Sequence, residues 1–227
     1  MGNAYEERLG TDRMLPLIFK MSLPAVAAQL VNLLYNIVDR IYIGHIPGIG
    51  TDALAGIGVT SAVIVLISSF SAIVGAGGSP LAAIALGRGN RERAGQILGN
   101  GFILLLIFTI LTSATTYLFM EPILLFTGAS ENTIGYATDY LSIYLLGTLF
   151  VELSVGLNTF INTQGRPTIA MYSVLIGAIL NIGLDPLFIF TFGMGVKGAA
   201  LATILSQACS AIWVISFLTS KKCLIKT

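Results

Sequence analysis

The sequence predicts an all-α, polytopic membrane protein with six transmembrane helices, and three observations carry that prediction. Hydrophobic residues fill 55% of the 227 positions and charged residues only 10%, with a mean hydropathy of +0.87, whereas a soluble domain carries about 25% charged residues. The charges are bunched into short hydrophilic joints. Between the joints lie apolar segments at least as long as the roughly 20 residues a helix needs to cross the hydrocarbon core.

Residues 1–13 form a polar head, read as a mature cytoplasmic end because spans follow throughout the chain. The first span is expected at 15–40. Its polar residues Gln29, Asn32, Asn36 and Asp39 are spaced three, four and three apart, which places them on one helix face among Leu30, Val31, Leu33, Leu34, Ile37 and Val38. A carboxylate at a bilayer centre costs roughly 2.5–3.5 kcal/mol on insertion scales, so an unused Asp39 should be rare. The competing placement sets Asp39 at the membrane–water boundary, paired with Arg40. Pro24 either bends this span below the polar stripe or sits in a first turn at the interface. The lone His45, in a short loop, has no partners that suggest a ligand role.

Residues 53–87 contain no charged side chain, longer than one crossing needs and too short for two. We expect a span at 53–79, tilted to about Ala76 and then bending through Gly77, Gly78 and Pro80. The joint Gly87-Arg88-Gly89-Asn90-Arg91-Glu92-Arg93 lacks the strand and the Walker pattern of a phosphate loop. A third span is expected at 94–120, opening with Gly95 and Gly99 at close-packing spacing, and a loop at 121–132. The fourth, at 133–162, carries Asp139, Glu152 and a polar repeat Ser154, Asn158, Asn162. Glu152 either faces a cavity or pairs locally. The fifth, at 168–190, carries Asn181 and Asp185 one turn apart before Pro186. The sixth is expected at 198–219, followed by a basic tail at 221–227. Cys209 in a late span and Cys223 in the tail give no disulfide framework. A net charge of +1 predicts no nucleic-acid partner.

The Lys and Arg residues orient the spans. One side collects ten of the twelve and the other only Arg40 and Lys197, which predicts both termini in the cytoplasm. The first and fifth spans then run outward, bringing Asp39 and Asp185 toward the outer face. Thr203, near the outer start of the sixth span, shares their level, and Asn181 lies one turn deeper. Such oxygen groups suit a proton or a hard cation such as sodium, held at Asp39 and Asp185. Asn158 lies nearer the inner end and is expected to line a cavity below that site.

Several of these stretches carry a resemblance. Leu23-Pro24-Ala25, the run from Gln29 through Asp39 to Gly44, Thr51 to Gly56, Gly75 to Gly89, Asn162-Thr-Gln-Gly165-Arg-Pro167, and Asn181-x3-Asp185-Pro186 resemble the multidrug and toxic compound extrusion (MATE) transporters over nearly the whole chain. The acid in the fifth span makes the chain more similar to the DinF-like branch than to the NorM-like one. The resemblance implies one lobe of a twelve-helix plasma (inner) membrane antiporter, which exports amphipathic or cationic drugs against proton or sodium flow. It implies no cofactor beyond the coupling ion, and no enzyme activity. By motif, the coupling residues are Asp39, Asn181, Asp185 and Thr203, with Gln29, Asn32, Asn36, Tyr140 and Asn158 lining the cavity and Pro24 as a hinge. Six spans match an amino-terminal lobe (14–220) with the start of an inter-lobe linker at 221–227, so a carboxyl-terminal lobe is the expected partner, besides substrate and lipid. Two other readings compete. A lipid-linked oligosaccharide flippase of the same superfamily would favour basic residues inside the cavity, and none lies mid-span here. An intramembrane enzyme using Asp39 and Asp185 as a dyad would need a further signature, and no nucleophile elbow, His set or Gly-Asp motif accompanies the pair.

Overall fold

The computed structural model describes residues 14–220 and 223–225; the expected head and all but three residues of the tail lie outside that range. The chain forms α1 (Met14–Gly44), α2 (Gly50–Gly87), α3 (Arg91–Leu118), a short α4 (Met120–Phe126), α5 (Ile134–Thr163), α6 (Pro167–Pro186) and α7 (Val196–Leu218), with a π-helical turn at Leu187–Thr191 extending α6. Six of these helices, all but α4, are long and apolar enough to cross a membrane. No strand occurs among the described residues.

Local chemistry sets the joints. Asn90 caps α3 by accepting the Arg93 N–H at 2.9 Å, and Pro167 opens α6, where its missing N–H costs nothing. Where 121–132 was expected to be a loop, α3 stops at Leu118 and α4 occupies part of the connection. Where the second span was expected to end at 79, α2 continues unbroken to Gly87, with Gly77, Gly78 and Pro80 inside it. Proline removes one backbone bond only. At Gly78 the missing side chain admits the Phe160 ring, which a Cβ would meet at 2.8 Å. Packing of α5 on that notch holds the helix through its weakest residues. The helix α1 is likewise continuous through Pro24.

The bundle is built around α5, which packs against α7, α2 and α3. Two-thirds (67%) of its most apolar window is buried, against none (0%) of the corresponding window of α1. Phe160, Leu105, Leu157 and Val214 anchor the core toward the 88–90 joint, and Ile43, Ile57, Tyr140, Tyr144 and Ala199 anchor it toward the 44–50 joint. The helix α1 leans mainly on α6 and leaves Leu23, Leu30, Leu33, Leu34 and Ile37 exposed. That face suits lipid or a second lobe and not water.

Candidate functional site

The helices α1, α6 and α7 meet close to the 44–50 end, and there the sequence-predicted acids come together. Asp39 on α1 is 9% exposed and Asp185, the penultimate residue of α6, is fully buried. Their carboxyl groups lie within hydrogen-bonding reach of each other. Asn181, one turn back on α6, donates Nδ2–H to Asp185 Oδ1 at 3.2 Å and reaches Thr203 Oγ1 of α7 at 3.5 Å. All four residues expected at the cation site thus form one cluster. Pro186 and the π-helical turn follow directly, with Phe192 N–H bonding Leu187 O at 2.9 Å. Wide turns of this kind occur often beside functional groups.

Arg40 forms no close ion pair with Asp39. Its guanidinium turns to α2 and donates to Ser61 Oγ at 3.3 Å, while Lys197 pairs with Asp139 at 3.3 Å, both half-exposed. The boundary ion pair of Asp39 with Arg40 is therefore not formed. Three buried oxygens of the cluster, Asp39 Oδ1, Asp185 Oδ2 and Asn181 Oδ1, have no hydrogen-bond partner. Buried acceptors are rarely left so, because each unmade bond costs about 1–3 kcal/mol. Unmatched oxygen acceptors on and beside two carboxylates are the kind of group that a proton or a hard cation satisfies. No cluster of three or more His, Cys, Asp or Glu exists among the described residues.

Tyr140, expected to line the cavity, instead is buried in this cluster beside Asp39 and Thr203. Tyr35 and Gln207 complete the surroundings and were not among the sequence candidates: the Tyr35 ring is close to Gln207 and to both carboxylates. Their signal was spacing, since Tyr35 precedes Asp39 by four residues and Gln207 follows Thr203 by four.

The rest of the α1 stripe parts from Asp39. Gln29, Asn32 and Asn36 are exposed and line an open groove of about 820 Å³ together with Leu33, Ile37 and Arg40. Gln29 and Asn32 also border a smaller cavity of about 120 Å³ between α1, α5 and α6, with Asn158, Asn162 and Met171. Asn158 Nδ2 donates to Ala170 O at 3.2 Å, and the side-chain oxygens of Asn158 and Asn162 are unpartnered. Asn158 thus lines a cavity apart from the carboxylates. Glu152 pairs locally, with Ser68 and Ser71 of α2.

The family model MatE matches residues 24–187, well over half of the chain. The chain belongs to the MATE family. It is 28% identical over 200 residues to the multidrug export protein MepA of Staphylococcus haemolyticus, a match covering 88% of this chain and 44% of that protein. It is 34% identical over 194 residues to an FAD transporter of Shewanella oneidensis, covering 83% of this chain and 42% of the other. The structure of the MATE multidrug transporter DinF-BH superposes with a TM-score of 0.87 at 35% identity, over 94% of this chain and 47% of that one. The chain spans a little under half the length of these relatives, and the MATE fold it reproduces is the amino-terminal lobe.

Proposed function

We propose that this lobe supplies the cation-binding element of an antiporter that exports amphipathic or cationic small molecules across the plasma membrane, driven by inward flow of protons or sodium. The observation that carries the reading is the apposition of Asp39 and Asp185 with no cationic side chain between them among the described residues. Two buried like charges repel, and a proton or sodium ion bound between them removes the penalty. Cation loading changes what holds α1 against α6, and α1 is the helix with the least other packing. Pro24, which leaves one backbone bond unmade, is where α1 bends most cheaply. Antiport follows if substrate in the Gln29–Asn36 groove favours one position of α1 and the bound cation the other, a coupling of typically 1–3 kcal/mol. The ten-to-two distribution of Lys and Arg supports cytoplasmic termini.

The test is efflux of a cationic dye by vesicles carrying this lobe within a two-lobed transporter, under an imposed pH or sodium gradient and at matched expression. Asp39→Asn and Asp185→Asn should each abolish gradient-driven efflux. Wild-type efflux from the double variant would refute the coupling role.

One observation favours a second substrate class. Among the described residues the charged group lining the groove is Arg40, amid the amides of Gln29, Asn32 and Asn36, a lining suited to an anion such as the flavin dinucleotide named for the Shewanella relative. Flavin efflux lost in Arg40→Ala, with no dye efflux in either form, would establish that class.

A further inference from the structure

Apart from the Asp39–Asp185 pair, one more carboxylate among the described residues lies inside the bundle. Glu152, near the middle of α5, is 2% exposed. Its Oε1 accepts the Ser68 hydroxyl at 3.2 Å, and its Oε2 accepts the hydroxyl of Ser71, which is 1% exposed. Ser68 and Ser71 stand three apart on α2 and share a face. A third hydroxyl reaches this level from α3. Leu105 of α3 packs into the notch at Gly156 of α5, where a Cβ would meet Leu105 Cδ1 at 2.9 Å. The two helices run antiparallel, so Thr109, one turn beyond Leu105, shares the depth of Glu152, one turn before Gly156. Thr109 is buried, and its hydroxyl has no hydrogen-bond partner.

Among the described residues, no cationic side chain faces this carboxyl. Tyr144 on α5 is its titratable neighbour. The charged residues of the packed helices lie at their ends: Asp52 on α2, Arg91, Glu92 and Arg93 on α3, Glu121 on α4, Asp185 on α6, and Lys197 on α7, which is paired with Asp139. Hydroxyl donors offset only part of the cost of an ionised carboxylate held mid-bundle without a countercharge. A proton removes the charge and keeps both contacts. The acid O–H then donates to one seryl oxygen while the other seryl hydroxyl donates to the carbonyl oxygen.

We propose that Glu152, cradled by Ser68 and Ser71, is a second intramembrane proton-binding site, separate from the Asp39–Asp185 pair. It does not depend on the antiport reading above. The test is infrared titration of the purified full chain in detergent between about pH 6 and 8, where solvated carboxylates are ionised. The C=O stretch of a protonated carboxyl should persist in the Asp39→Asn, Asp185→Asn variant and disappear when Glu152→Gln is added. Gln keeps the seryl contacts, so the fold should be retained. Should the triple variant fail to fold, Ser71→Ala in the double variant decides the matter, because the loss of one hydrogen bond must shift the band. A band unmoved by both changes, or absent from the double variant throughout that range, would overturn the proposal. So would a band that vanishes on adding sodium, which would assign the site to a metal cation.

Discussion

Asn181 ties Asp185 to the neighbouring helix: its amide donates to Asp185 Oδ1 at 3.2 Å and also reaches Thr203 Oγ1 on α7 at 3.5 Å. The amide orients the carboxylate and contributes no charge. Asn181→Ala should cost about 1–3 kcal/mol, the penalty for stripping a donor from a buried acceptor. It should reduce coupled transport less than Asp39→Asn or Asp185→Asn. Thermal unfolding in detergent measures the first and gradient-driven efflux the second. Equal loss of coupling in Asn181→Ala and Asp185→Asn, at equal stability, would mean that the amide does more than orient.

The orientation of the bundle follows from its joints. In a background with Cys209 and Cys223 replaced by Ser, a cysteine at Pro47 or Glu131, both exposed, should label with a membrane-impermeant maleimide in intact cells. A cysteine at Asn90 should label only after permeabilisation. Labelling of the Asn90 site in intact cells would invert the topology that the Lys and Arg distribution predicts.

Close approach between helix ends makes Gly198 one of the glycines that resist a side chain. A Cβ on Gly198, at the start of α7, would stand 2.7 Å from the backbone carbon of Phe188 in the π-helical turn. Backbone cannot rotate aside as a side chain can. At Gly177 a Cβ would meet the Ser210 hydroxyl at 2.6 Å, and that group can turn away, giving up its bond to Ser173 O. Gly198→Ala should therefore cost about 1–3 kcal/mol by overpacking and displace the turn beside Asp185, with Gly177→Ala costing less. Paired melting curves of the two variants check the order.

The convergence of Asp39, Asn181, Asp185 and Thr203 was legible because depth in a membrane follows from counting. Each helix rises a fixed distance per residue from a joint that its charges mark. Lateral position was less legible. At about 100° per residue, Asp39 falls at one edge of the α1 stripe. That edge turns into the bundle, while Gln29, Asn32 and Asn36 face the groove. Tyr140 went to the carboxylates and not to the cavity because α5 is central, and its polar residues are divided among the helices that surround it. The partners of Glu152 were not legible at all. Serines within an apolar span read as small packing residues, and only the pairing of α2 with α5 gives Ser68 and Ser71 a role.

The segment after α7 is held by a contact across many residues of sequence. Gln164, at the α5–α6 joint and 1% exposed, accepts the Leu224 N–H at 2.8 Å and the Cys223 thiol at 3.2 Å through Oε1, while its Nε2–H bonds Phe160 O at 3.1 Å. Burial pushes the Cys223 thiol above its ordinary pKa, against smaller opposing contributions from its hydrogen bonds and Arg166. The thiolate is the reactive form, so a raised pKa leaves less of it at neutral pH. In a Cys209→Ser background, alkylation of Cys223 in the folded chain should be at least tenfold slower than in denatured chain near neutral pH. The rate should keep climbing as pH rises beyond the ordinary thiol value of about 8.5. Gln164→Ala strands the Leu224 N–H and should speed alkylation several-fold, by freeing the segment from the joint. Alkylation of the folded chain as fast as that of the denatured chain would show that the segment does not dock on Gln164.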